Sequence, residues 1–169
     1  FSSNGTWVAN IGSTGSDNGQ LNAPSGVFVD SSGNIYVADA NNYRIQKFNS
    51  SGVYQSQFGC QISPSCTNGF TSPNGPFGVV VDGTGNVYVV NPSGNSLKKF
   101  SSAGALITSV TNLTSPNNVA IDSLGNIYVA NTSGNNIKIF KPDLSLIATV
   151  GSSGSGNGQF SGVPGVAID

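Results

Sequence analysis

Gly33-Asn34-Ile35-Tyr36-Val37-Ala38 returns unchanged as Gly125-Asn126-Ile127-Tyr128-Val129-Ala130, with Gly85-Asn86-Val87-Tyr88-Val89-Val90 between them. A hexapeptide that recurs in this way marks a repeat architecture, which decides the fold before any single residue is weighed. Outward from each copy the similarity extends over Gly26 to Phe48, Gly78 to Phe100 and Asn118 to Phe140. A fourth copy opens at Gly165-Val166-Ala167-Ile168-Asp169.

Each unit reads as a meander of short strands. Val27-Phe28-Val29 is apolar and rich in β-branching, which suits a buried strand. Asp30-Ser31-Ser32-Gly33-Asn34 is turn chemistry, with Asp accepting backbone N–H groups and Gly taking positive φ. Ile35 to Ala38 is a second strand, apolar on both faces. Asn41-Asn42 forms the next turn, matched by Gly94-Asn95 and Gly134-Asn135. Arg44 to Phe48 is a third, wetter strand, and Val53 to Phe58 a fourth, more polar one.

Inner strands that are apolar on both faces must be covered on both faces. Sheets of one kind stacked around an axis achieve this, whereas a flat sandwich leaves one wet face per strand. The reading is therefore all-β: a β-propeller of four-stranded antiparallel blades at about 26–58, 78–110 and 118–150. A split fourth blade has an orphan outer strand at 6–12 and an orphan inner strand at 165–169. Asp30, Asp82, Asp122 and Asp169, which close the first strands, stand 52, 40 and 47 residues apart. Propeller blades run about 40–50 residues. Residues 1–169 are read as one such domain, or as a fragment of a larger ring.

Only 8% of the residues are charged and the net charge is −1, against about a quarter charged in an ordinary domain. There is no His and no Met, and every acid is Asp. This surface of hydroxyls and amides offers no basic field for nucleic acid and no polybasic membrane patch. The apolar runs are too short to span a bilayer as a helix. Cys60 and Cys66 stand close together in a Pro- and Ser-containing loop, which reads as a local disulfide in an oxidising compartment. That loop is an insertion between two blades.

The motifs resemble the NHL repeat family over nearly the whole chain. The resemblance rests on Asn18-Gly19-Gln20-Leu21, on Pro24-Ser25-Gly26-Val27-Phe28-Val29-Asp30, on Gly33 to Asp39, and on Asn41 to Phe48. Asn157-Gly158-Gln159-Phe160 to Asp169 repeats the opening part. The resemblance implies a β-propeller, commonly six-bladed. This chain departs from RNA-binding members in having six basic residues in all, and from amidating-lyase relatives in lacking the metal-binding His. Position 39 is Asp, but its counterparts are Asn91 and Asn131.

Candidate sites divide into structural and functional ones. Asp30, Asp82, Asp122 and Asp169, with Asn34, Asn86 and Asn126, are read as turn formers rather than calcium ligands, because they recur once per blade. No catalytic residue, metal or cofactor is expected, since general acid–base work draws on His, Glu or a tuned Asp or Lys. Asn4, Asn49, Asn112 and Asn131 stand in glycosylation sequons, at no more than chance frequency. Asn131 ends a second strand, where it can also reach the surface. Tyr36, Tyr88 and Tyr128 recur at one position, and inter-blade packing outweighs ligand stacking there. Trp7, on the expected outer strand, is the candidate contact residue.

These readings point to a non-enzymatic extracellular scaffold or interaction module. Its expected partner is protein, in the first place further copies of the chain joined through open blade edges or rim, within a fibre or repeat array. A glycan- or peptide-binding sensor domain is one alternative. A propeller lyase or hydrolase with catalytic residues outside this segment is the other.

Overall fold

The computed structural model describes residues 4, 6, 9–60, 69–71 and 73–169. The described chain opens with two short strands, β1 (Ser13–Thr14) and β2 (Gln20–Leu21), paired in parallel. Three four-stranded antiparallel sheets follow. The first contains β3 (Pro24–Val29), β4 (Ile35–Asp39), β5 (Arg44–Phe48) and β6 (Tyr54–Phe58). The second contains β7 (Val79–Val81), β8 (Val87–Asn91), β9 (Ser96–Phe100) and β10 (Leu106–Val110). The third contains β11 (Pro116–Ile121), β12 (Ile127–Asn131), β13 (Asn136–Phe140) and β14 (Leu146–Val150). A second parallel pair, β15 (Ser152–Ser153) with β16 (Gln159–Phe160), closes the series.

Within each sheet the strands pair in chain order, so each is an up-and-down blade. The register also repeats. Phe48, Phe100 and Phe140 pair with Tyr54, Leu106 and Leu146, and a bulge then places Gln55, Ile107 and Ile147 outside the ladder. Each bulge increases the twist where the blade reaches the rim.

The core lies between blades. Tyr36, Ala38 and Ile45 of the first blade meet Val79, Val81, Val87, Val89 and Phe100 of the second. Val80, Tyr88, Val90 and Leu97 from the other face of the second blade meet Val119, Ile127, Val129 and Phe140 of the third. Alternate residues of one strand thus serve two interfaces, which is why the sequence is apolar without interruption there. Near the axis the backbones themselves approach, and a Cβ on Gly26 would collide with the carbonyl of Phe77.

Three expectations need correction. Residues 165–169 form no strand. They lie beside the inner strand of the third blade, where Val166 N–H donates to Asn118 Oδ1 at 3.1 Å. That single bond to a side chain is no ladder, and a strand is defined by its ladder. In 6–12, the described residues Thr6 and 9–12 are likewise not in a strand, and Trp7 lies outside the described residues. Lastly, the turn after β4 is displaced by one residue. A 3-10 turn over Ala40–Asn42 ends on Tyr43 in the left-handed region (φ 55°), and Asn95 (46°) and Asn135 (51°) hold the same position. Asn adopts this conformation readily and Tyr does not, so the sequence aligned the wrong residue of the first blade.

Candidate functional site

Two sets of polar residues recur, one at each end of the blades. At the first turn, Asp30 Oδ1 accepts from the N–H groups of Ser32 and Asn34, both at 2.9 Å, and Oδ2 accepts from Asn34 Nδ2 at 2.9 Å. Asp82 with Thr84 and Asn86, and Asp122 with Leu124 and Asn126, repeat this within 0.1 Å. For Asp30 and Asp82 burial acts to raise the carboxyl pKa, but the hydrogen bonds donated by Asn34 or Asn86 and their neighbours prevail and hold it below the ordinary value. At Asp122 the Asn126 amide leads in the same direction. Both carboxylate oxygens are thus occupied by the turn itself. Asp169 is exposed.

The tyrosines rise from these turns. Tyr88 Oη donates to Asp82 Oδ2 at 3.1 Å and Tyr128 Oη to Asp122 Oδ2 at 3.3 Å. Burial first and the Asp82 carboxylate second push the Tyr88 phenol pKa upward. Lys47 and Lys99 each stand 5.3 Å from the ring centroid of their neighbour, Tyr36 or Tyr88. Tyr36 and Tyr88 are buried between blades and Tyr128 is half-buried.

The second set lies at the other end, where each second strand stops on Asp39, Asn91 or Asn131, all buried. Each side-chain oxygen accepts a backbone N–H from the loop leading into its own blade. Asn22 N donates to Asp39 Oδ1 at 2.6 Å, and Thr114 N donates to Asn131 Oδ1. Asn91, with its amide oxygen turned toward the loop, accepts from Thr71 N at 2.8 Å. The loop's carbonyl often answers: Asn41 N donates to Asn22 O, and Ser133 N to Thr114 O, both at 3.1 Å. This position is a latch between blade and connecting loop. The left-handed residue beside it latches the loop that leaves toward the next blade. Asn95 Oδ1 accepts from Ser115 N at 2.9 Å, and Asn135 Oδ1 from Gly162 N at 2.6 Å.

In the first blade the latch is charged. Arg44 Nε donates to Asp39 Oδ2 at 2.7 Å, with both side chains buried. Asn42 Nδ2 reaches the same oxygen at 2.8 Å and Gln46 Nε2 at 3.1 Å. Arg44 Nη2 also donates to the carbonyls of Asp17 (2.9 Å) and Gln20 (2.7 Å), and Nη1 to Gln57 Oε1 at 2.6 Å. The loop held in this way has its own closure: Gly15 N donates to Leu21 O, and Gln20 Oε1 accepts from Asp17 N, both at 3.1 Å. Gly154, Phe160, Gln159 and Gly156 make the same two bonds in the 151–160 loop. Any Cβ on Gly15 or Gly154 would strike the closing Gln.

The sequon residues separate sharply. Asn131 is 2% exposed and bonded through both ends of its amide, to Thr114 N–H and Asn136 Oδ1, so it is not accessible as expected. Asn49 Oδ1 caps its own turn through Ser51 N and Val53 N. Asn4 accepts from Thr6 and is exposed, as is Asn112. Cys60 carries no free thiol, and Cys66 lies outside the described residues. Among the described residues no three His, Cys, Asp or Glu side chains gather as a metal set. A cavity of about 300 Å³ lies where the inner strands converge, lined by Gly26–Phe28, Gly78–Val80, 118–121 and Val166–Ile168.

Stacked four-stranded blades with one repeated turn and one repeated latch define the class, a β-propeller. Residues 21–48 match the NHL repeat and residues 105–138 a beta-propeller repeat. The Drosophila melanogaster protein named brain tumor is 47% identical over 49 residues, which cover 29% of this chain and 5% of that protein. Among solved structures, hydrazine synthase of Kuenenia stuttgartiensis superposes with a TM-score of 0.64 at 12% identity, over 83% of this chain and 38% of that one. A streptogramin B lyase gives 0.56 at 16% identity, over 73% and 39%. The chain spans well under half of each of these proteins, and at such identities the structural likeness is one of fold.

Proposed function

We propose that this propeller is a non-enzymatic protein-interaction scaffold that works outside the cell and associates with further copies of itself through its rim. The observation that carries this reading is the condition of the outermost strands. β10 and β14 are edge strands, and neither contains a charge or a proline. Ile107 on β10, and Leu146, Ile147 and Val150 on β14, are each about half exposed. Edge strands are ordinarily blunted by Lys, Pro or an inward charge, and an apolar unblunted edge is a template for pairing. The bulge isoleucines Ile107 and Ile147 stand at equivalent places on adjacent blades.

A Cys60–Cys66 disulfide belongs to this reading, as does the oxidising compartment it needs. The occupied carboxylates favour a scaffold over a hydrolase or lyase, because Asp30, Asp82 and Asp122 are spent on turns. A contact between unlike rim surfaces that does not close on itself gives a fibre.

Sedimentation velocity over a wide concentration range tests the proposal. The expected result is concentration-dependent association, weakened when Ile107→Lys and Ile147→Lys are combined. A chain that stays monomeric throughout the range overturns it. So does association that the paired lysines leave unchanged.

A further inference from the structure

The loops at 12–21 and 151–160 share one turn, but Arg44, Asn42 and Gln46 hold only the first. In the first, Gln20 N donates to Asp17 O, and in the second Gln159 N donates to Gly156 O, each at 3.0 Å. Asn18-Gly19 and Asn157-Gly158 occupy the centres of these turns, with Gly φ of 80° and 73°. Both asparagines are exposed. The difference that bears on the chemistry of the Asn-Gly step lies at the glycine nitrogen. Gly19 N–H donates to Gln46 Oε1 at 2.9 Å, and Gln46 is fully buried. Gly158 N–H has no such acceptor among the described residues, and a Cβ added to Gly158 would meet nothing within 4 Å.

An Asn-Gly step is chemically reactive because the glycine nitrogen can attack the asparagine side chain. Solvent base removes the Gly158 N–H proton, and the nitrogen adds to Asn157 Cγ. The new N–Cγ bond forms as the side-chain nitrogen leaves as ammonia, giving a cyclic imide. Water then opens the ring at either carbonyl, leaving aspartate or isoaspartate. One water is consumed, one ammonia is released, and nothing is oxidised or reduced. The reaction requires a glycine N–H that can be deprotonated and a backbone free to bend toward the side chain. A hydrogen bond to a buried acceptor denies both.

We infer that Asn157 is a site of spontaneous deamidation in the folded chain, and that Asn18, its counterpart, is protected by the clamp from Gln46 to Gly19. Asn74-Gly75 is protected in another way. Asn74 N–H is held by Ser93 Oγ at 3.2 Å, its carbonyl by the Asn91 amide at 3.1 Å, and Gly75 is buried against the carbonyl of Ala40. Asp82-Gly83 could form the same imide, but the Asp82 carboxylate is tied into its turn. Asn4-Gly5 and Asn68-Gly69 each include a residue outside the described ones. Conversion at Asn157 adds a negative charge to a chain whose net charge is −1, so charge-based separation resolves it.

The test is incubation of the full chain in mildly alkaline buffer, followed by peptide mapping that distinguishes asparagine, aspartate and isoaspartate. In the folded chain Asn157 should convert faster than Asn18 by roughly three- to tenfold, the factor one net hydrogen bond supplies. Asn74 should be at least as slow as Asn18. In the urea-unfolded chain the three rates should converge, because the local dipeptide is the same. Gln46→Met should raise the Asn18 rate toward that of Asn157. If that variant does not fold, the folded-against-unfolded comparison of the unaltered chain still decides. Equal rates at Asn18 and Asn157 in the folded chain overturn the inference, as does a rate difference that persists in urea.

Discussion

The first and third blades solve one problem with different chemistry. Each must hold its incoming loop against the end of its second strand. The third blade uses Asn131, neutral and bonded to Thr114 N–H and to Asn136. The first uses Asp39 with Arg44, Gln46 and Asn42 around it. The loops explain the difference. The third blade's loop is the short Thr111–Ser115 stretch and presents one N–H to the latch. The first blade's loop presents the carbonyls of Gly15, Asp17 and Gln20 as well. A carbonyl-rich loop needs donors, Arg supplies several in a fixed fork, and a buried Arg in turn requires a carboxylate. The charge at position 39 thus follows from the loop.

The largest effect should come from breaking the charged latch on one side. We predict that Arg44→Ala destabilises the fold by about 3–5 kcal/mol, because it leaves Asp39 charged and buried. Asn136→Ala, the equivalent change in the third blade, should cost about 1 kcal/mol. Chemical denaturation of the two variants reads the contrast directly. Similar costs would mean that the ion pair carries no more than its neutral counterpart.

Next in size is the conversion of one latch into the other. The double variant Asp39→Asn with Arg44→Asn gives the first blade the residues of the third. It should lose less than Arg44→Ala alone, since no uncompensated charge remains, yet more than nothing, since the carbonyls of Asp17 and Gln20 lose their donor. A loss of about 1–3 kcal/mol is expected. If the double variant is worse than Arg44→Ala, the cost lies in the missing donors and the residual charge is unimportant. Asn131→Ala sharpens the neutral side. It strands the Thr114 N–H and the Asn136 amide oxygen, and should cost about 1–3 kcal/mol.

The same contrast explains what the sequence discloses. The turn formed by Asp30, Asn34 and their copies is legible because donor and acceptor lie two to four residues apart and the pattern recurs in every blade. The blades are legible because alternate residues face two like neighbours, as Val79 to Val81 do. The latch is not legible in this way, because Asp39 and Asn22 lie 17 residues apart and their meeting depends on how a loop crosses the blade end. A signal was nevertheless present: position 39 varies between Asp and Asn, and both keep a side-chain oxygen. Reading this as variability hid what was constant. The same long-range contact conceals Asn131, whose sequon looks accessible until the loop is placed over it. Exposure itself depends on neighbours. Val27 and Val29 are 66% and 56% exposed, whereas their counterparts Val79 and Val81 are 4% and 6% exposed, although the residues are identical in type.

The smallest predicted effect concerns acid, and it contrasts the two ends of a blade. The carboxyls of Asp30, Asp82 and Asp122 titrate below the ordinary value of 3.8, so the folded state binds protons less readily than the unfolded chain does. Their stabilisation is therefore complete above the unfolded value and is lost as pH falls through the lower folded values. With no His and no Glu in the chain, stability should be flat from neutrality down to about pH 5 and then decline. Asp82→Asn keeps an oxygen for Thr84 N–H and Asn86 N–H but turns an amide nitrogen toward the Asn86 amide. The variant should be modestly less stable at neutral pH, and the gap should close as the medium becomes more acid. Thermal melts of both proteins across that range measure it. A gap that stays constant would show that the Asp82 charge contributes nothing, and that the turn is held by hydrogen-bond geometry alone.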